Sequence, residues 1–332
     1  MYLSALTIGY AVPGSDFEAV THGVFQSAAN LQLTKAGKLI TLVGSGEADL
    51  PQGIRLDTPT DFSFAGLGTG EAVTCRDGIL RINSISLTAD LCKVRIWKCD
   101  LPALNVDMTN AAVGFAWRSV WEALNKRQLL SGAEIVADNL FNPDEIAQSV
   151  ISRRAGEAIR ALVDATRQRN LDDISMLNTL IGLGTGLTPS GDDLLVGYLA
   201  GLWCLVRGRP DREQFISGLG RRVVRLSRRT NDISRTYLYH AARGQVSSRL
   251  AALAEAISRG ESGGPLLSTA KSAMRVGHTS GMDAVTGLLF GLATWDILPF
   301  INSVVPIWLQ DLPWLYPSLA FPSVDKVWNM NA

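Results

Sequence analysis

TPSGDDLLVGYLAGL, residues Thr188–Leu202, returns in altered form as HTSGMDAVTGLLFGL, residues His278–Leu292, and this pair decides how the chain is read. In register, Ser190 matches Ser280, Gly191 matches Gly281 and Asp193 matches Asp283, while Gly197 and Gly201 match Gly287 and Gly291. Each copy is a polar Ser-Gly-x-Asp turn running into an apolar stretch of helical length. The paired glycines leave one face of each helix without side chains, so two backbones can approach closely, a habit best known in membranes but sterically general. Helices crossing on those faces would be related by a pseudo-twofold axis and would bring both turns into one cleft.

Serine and aspartate at this spacing also fit a capping box, with serine as the N-cap. A cap alone does not account for glycine directly after serine in both copies, because glycine weakens a helix start unless something must approach the backbone closely. Nor does it account for the Gly182–Gly186 approach, GLGTG. The pattern therefore favours a ligand at the helix starts over a bare cap. Backbone N–H groups there attract anions. Asp192, Asp193 and Asp283 repel anions but accept hydrogen bonds from –NH2 groups, or hold a divalent cation such as Mg2+. His278 precedes the second turn and could polarise a carbonyl or act as general acid–base, against the plainer reading of a surface histidine. Between the copies, TNDISRTYLYHAARGQ (230–245) places Asn231, Ser234 and Arg235 at the start of another helix, with His240 further along. The expected catalytic groups are His278, Asp193 and Asp283. Thr188, Ser190, Gly191, Asp192, Asn231, Ser234, Arg235, Thr279, Ser280 and Gly281 are the expected substrate contacts.

With 332 residues, 47% of them hydrophobic, the chain can bury a large core. Its formal net charge of zero argues against a nucleic-acid partner. The four cysteines lack CxxC spacing and read as buried free thiols. The opening MYLSALTIGYAVPG lacks a secretory leader, and Ala284–Leu309 is interrupted by Asp296, Pro299, Asn302 and Pro306, so a cytoplasmic protein without a membrane span is expected.

Up to about residue 105 the chain is punctuated by glycine and proline, with β-prone runs at Lys38–Val43, Ile79–Ile85 and Lys93–Trp97 and a hairpin turn at Asp77-Gly78. Helical spacing follows at Ala111–Leu130, Pro143–Gln168, Leu194–Val206, Glu213–Ser227, Ile233–Ala242, Ser247–Ser258 and Ala284–Trp295. The fold class predicted is α+β: a β-rich domain over 1–105, a helical domain over 106–299 carrying the motifs, and a Trp/Pro-rich tail over 300–332. That tail, with Trp308, Trp314 and Trp328, either wraps its own domain or docks another subunit.

GLGTG at Gly66–Gly70 and Gly182–Gly186 is not a dinucleotide fingerprint, and no phosphate-loop lysine, GxSxG elbow or zinc spacing is present. The phrases GLGTGLTPSGDDLLVGYLAGL, ISRTYLYHAARGQ and VGHTSGMDAVTGLLFG, in this order, resemble a bacterial family long catalogued as a domain of unknown function, which includes AllH (also called YlbF), a subunit of oxamate carbamoyltransferase. GVFQSAANLQLTKAGKLITLV (23–43) is similar to the family's opening strands, and the resemblance spans about residues 20–295. It implies carbamoyl transfer between carbamoyl phosphate and oxamate, giving oxalurate, in allantoin degradation and purine catabolism, within a complex of several subunits. Two rivals stand beside it: a Mg2+-dependent phosphotransferase or hydrolase using Asp192, Asp193 and Asp283, and a non-catalytic structural or ligand-sensing subunit.

Overall fold

A computed structural model describes residues 1–14, 16–131, 133–140, 149–172 and 174–295. Its first part is built of strands, with two short 3-10 turns between them: β1 Tyr2–Gly9, β2 Phe17–Val24, β3 Ala28–Leu33, β4 Leu39–Val43, β5 Gly53–Leu56, β6 Ala72–Arg76, β7 Ile79–Ile82, β8 Leu87–Asp90 and β9 Arg95–Trp97. They hydrogen-bond in the order β5-β4-β3-β2-β6-β7-β8-β1, and β1 pairs back to β5, closing a barrel. Closure leaves those strands without a free edge. β9 continues alongside β1 beyond β8, pairing Thr7 with Arg95 and Gly9 with Trp97. The β6–β7 hairpin is tight because Asp77 and Gly78 both take positive φ, at 51° and 73°, as a two-residue turn of this hand requires. Leu31, Leu42, Ile54, Leu56, Phe64, Leu80 and Ile82 fill the barrel. β4 is buried on both faces, Ile40 and Leu42 inward and Thr41 and Val43 toward the helices.

After the barrel come α1 Leu101–Leu104, α2 Ala111–Ser131, α3 Val150–Arg167, α4 Leu177–Leu180, α5 Ser190–Trp203, α6 Pro210–Leu226, α7 Asp232–Ala241, α8 Ser248–Ser258, α9 Gly263–Met274 and α10 Ser280–Leu292. The molecule is therefore α+β, with the β-rich part first. α5 begins at Ser190, earlier than the apolar run starting at Leu194, because the turn itself is helical. α9 has no counterpart in the sequence reading, since its opening Gly-Gly-Pro disguises it. The residues of the predicted second helix before Ser149, and the Trp/Pro tail, lie outside the described residues.

α5 and α10 form the centre of the helical part. Nearly every residue of both is buried, as expected for helices apolar all round. They run alongside each other in the same direction, N-terminus by N-terminus, in contact through their glycines. A Cβ at Gly197 would lie 1.8 Å from the Ala284 carbonyl oxygen, and its counterpart at Gly287 1.9 Å from that of Leu194. The second pair behaves alike: Gly201 faces Leu288 O at 2.5 Å and Gly291 faces Tyr198 O at 2.4 Å. Backbone thus lies on backbone along the whole crossing, with room for weak Cα–H···O contacts. α2 covers α10, where Trp117 Nε1 donates to Leu289 O at 2.9 Å and Gln128 Nε2 to Thr286 Oγ1 at 3.1 Å.

The barrel docks on the start of α8. Asp49 N donates to Ser248 Oγ and Ser248 N donates to the Asp49 carbonyl, each at 2.9 Å. Tyr10 OH meets His240 Nδ1 of α7 at 3.3 Å. These links set the outer face of β4 opposite the helix starts.

The clash distances give a direct test. Gly197→Ala or Gly287→Ala should destabilise the protein by about 3 kcal/mol or more, since backbone cannot yield as a side chain can. Gly264→Ala, whose Cβ would enter open space in the first turn of α9, should be neutral or stabilising by up to about 1 kcal/mol. Denaturant melts of the three variants check the contrast.

Candidate functional site

The two helix starts are built alike. The N-caps are Pro189 and Thr279, neither of which makes a side-chain cap bond, so Ser190 and Ser280 are first helical residues and not the caps a capping box requires. The amides of Gly191, Asp192 and Asp193 donate to Leu183 O and Pro189 O, and those of Gly281, Met282 and Asp283 to Val276 O and Thr279 O. These donors are thus consumed within the chain, which corrects the expectation that they would stand open to an anion. The glycine after each serine also has an internal cause. A Cβ at Gly191 would lie 2.1 Å from Leu180 O, and one at Gly281 2.4 Å from Ala273 O. What approaches the backbone closely is the preceding turn of the same protein.

With the caps elsewhere, the serine hydroxyls cross to the other copy. Ser280 Oγ meets Thr188 Oγ1 at 2.6 Å, and both hydroxyls serve the Asp193 carboxyl. Reciprocally, Ser190, together with Thr279, serves Asp283. Burial dominates both acids. It holds the Asp193 carboxyl well above the usual range, reinforced by the charge of Asp283, while the Ser280 and Thr188 hydroxyls oppose the rise. It pushes Asp283 up to about 7, with Ser190 opposing and the Glu134 charge reinforcing. Oδ2 of each acid is buried and without a hydrogen-bond partner. Asp193 is 8% exposed and Asp283 1%.

Asp192 behaves differently, and Met282 stands at its counterpart. Its Oδ1 accepts from Gly182 N at 2.9 Å and its Oδ2 from Thr230 Oγ1 at 2.5 Å, tying the glycine-rich approach to the loop before α7. Burial raises its pKa, and these bonds with the Ser234 hydroxyl counter the rise. Asn231 caps α7, its Oδ1 accepting from Ile233 N and Ser234 N at 3.0 Å each. Arg235 pairs with Asp232 at 2.6 Å. His278 is exposed. Among the described residues no group of three or more His, Cys, Asp or Glu is arranged to hold a metal.

A cavity of about 350 Å³ lies between the barrel and the helix starts. Thr188, Asp193, Ser280 and Gly281 line it from the crossing, Tyr237 and His240 from α7, and Thr41 and Glu47 from the barrel side. Burial, then the charges of Arg243 and Lys38, bring His240 down to about 4, so the imidazole Tyr10 holds is neutral near pH 7. Burial pushes Tyr237 up to about 12, helped by the charges of Asp193 and Glu47. The structure thus gathers Thr188, Asp193, Ser280 and Gly281 at the cavity, with Asp283, Ser190, Gly191 and Thr279 in the same crossing. Asp192, Asn231 and Ser234 form a neighbouring loop clamp, and His278 and Arg235 do not line the cavity. Tyr237, Glu47 and Thr41 carried no signal in the sequence. His240 did, three positions after Tyr237 on one helix face, without any hint that the barrel would cover it.

Two family models match the chain: oxamate carbamoyltransferase subunit AllH over residues 180–292, and AllH family N-terminal domain over residues 5–96. The chain belongs to the AllH family. The first match takes in both Ser-Gly-x-Asp helices and everything between them, and the second takes in the barrel. No solved structure matches the chain. No helix among the described residues is long and apolar enough to cross a membrane.

The buried acids tie stability to pH in this AllH-family chain. Unfolded, Asp283 is ionised above about pH 4; folded, it keeps its proton until about 7. The native state binds the extra proton in that window, so stability falls as pH rises through it, by up to about 4 kcal/mol. Asp283→Asn should therefore melt higher than the wild type at about pH 8, with the gap shrinking toward about pH 4. A gap independent of pH would refute the assignment.

Proposed function

We propose that this AllH-family chain contributes a substrate site to a carbamoyltransferase complex that joins carbamoyl phosphate and oxamate to give oxalurate and phosphate, in purine or allantoin catabolism. The observation that carries the reading is the pair of crossed helix starts, which leave a buried carboxyl oxygen of Asp193, backed by Ser280 and Thr188, at a cavity between barrel and helices. Such a group accepts an amide N–H, and both oxamate and the carbamoyl group carry one.

In the reaction the amide nitrogen of oxamate forms a bond to the carbamoyl carbon, the carbon–oxygen bond to phosphate breaks, and the proton the nitrogen loses passes to the departing phosphate. No covalent enzyme intermediate is needed; orienting the amide and stabilising charge on the carbamoyl oxygen supply the catalysis. We assign Asp193 to the amide N–H and Tyr237, which faces Asp193, to the second side of the same group. Asp283 acts on Asp193 through its charge, which helps burial hold the Asp193 carboxyl above its usual range. His278, exposed before the α10 turn and next to the cavity-lining Gly277, ranks below these. Glu47 and the apolar walls disfavour an anion, so the phosphate and carboxylate are assigned to other subunits of the complex, and the isolated chain is inactive.

The test is Asp193→Asn in the reconstituted complex. Carbamoyl transfer should fall about a hundredfold or more, while the variant melts no lower than the wild type because it loses only a buried acid. Full turnover with a folded variant would sink the reading.

A further inference from the structure

The cavity is much larger than the amide end of oxamate, a two-carbon acid, would fill, and much of its wall is apolar. Phe25, Val43 and Leu50 line it from the barrel side, and Val196, Val246 and Leu250 from the helical side. Its volume of about 350 Å³ falls in the range of pockets that enclose a whole small organic ligand, where apolar walls hold the body and a few polar groups fix the orientation. Polar groups meet it at several points, and at the helix crossing Asp193, Ser280 and Thr188 converge. There the Asp193 Oδ2 lacks a partner although the residue is 8% exposed. A buried acceptor left unpaired costs free energy comparable to a lost hydrogen bond, so a ligand that supplies a donor at that atom is strongly favoured.

We infer that this cavity takes an uncharged primary amide or urea carried on an apolar body, its amide edge against Asp193 and its body between Phe25 and Leu250. The inference rests on the cavity being this chain's ligand site and concerns what the chain binds alone, without the subunits to which the oxamate carboxylate is assigned. A primary amide offers an N–H and a carbonyl side by side, and a carboxyl group meets both at once when it carries its proton. The geometry disfavours the other two end groups. A carboxylate would face Asp193 and Glu47. An ammonium would have to ionise an acid that already lies beside Asp283, and would set its charge against apolar walls.

The experiment titrates the full chain with benzamide, benzoate, benzylamine and oxamate by ligand-observed NMR and calorimetry. Benzamide should bind, with benzoate, benzylamine and oxamate weaker by about tenfold or more, the factor expected for one misplaced hydrogen-bonding edge. Asp193→Leu should weaken benzamide by about tenfold. Phe25→Ala, at a half-exposed position whose truncation leaves the core intact, should weaken it several-fold. Benzylamine binding more tightly than benzamide would overturn the proposal. So would no benzamide binding, or benzamide affinity unchanged in both variants. Benzamide binding as expected, alongside unimpaired carbamoyl transfer by the Asp193→Asn complex, would remove the catalytic reading and leave this one standing.

Discussion

The whole arrangement depends on α5 and α10 touching through their backbones. Four glycines, Gly197, Gly201, Gly287 and Gly291, let the two helix axes approach until carbonyl oxygens of one lie where side chains of the other would stand. The helices run parallel, so a short loop cannot join them; the chain must travel back along the pair before it can repeat the direction. The segment carrying α6 to α9 makes that journey, and it is why the two copies of the motif stand so far apart in sequence. Parallel packing also brings two positive helix ends together, an unfavourable pairing that acidic residues in the first turn relieve. Asp193 and Asp283 occupy those turns.

Burial limits that relief, because a protonated acid carries no charge to set against the helix ends. Each carboxyl is buried and receives hydroxyls rather than a cation: Ser280 and Thr188 for Asp193, Ser190 and Thr279 for Asp283. Hydroxyl donation offsets some of the desolvation cost but does not balance it, so both acids hold protons well above their ordinary range. A core that needed only packing would have apolar residues at these positions. Buried acids kept without a counter-charge, one of them lining a cavity, are the observation on which the proposed site rests.

Several features were legible because they are local. The Asp77-Gly78 hairpin follows from turn chemistry, most helices from their apolar spacing, and the crossing of α5 and α10 from two matched Gly-xxx-Gly faces. The reasoning about Gly191 and Gly281 was sound in form, since something does approach each of them closely, but the approaching atoms are Leu180 O and Ala273 O of the chain itself. Sequence shows that a residue must be small without showing what stands opposite. Asp192 illustrates the same limit: adjacent to Asp193 in the chain, it turns away to bind Gly182 N and Thr230 Oγ1.

What the amino-acid sequence by itself determined is the α+β division, the repeated helix start and the glycine faces on which the repeats meet, because each of these is written in neighbouring residues and their period. Which groups share the cavity was decided only by tertiary structure. Tyr10 reaches His240, and Thr41 and Glu47 join Asp193 and Tyr237, because the closed barrel packs on the start of α8 and turns the outer face of β4 toward the helix starts. No periodicity records that docking, since it joins side chains that are distant along the chain and each ordinary in its own surroundings.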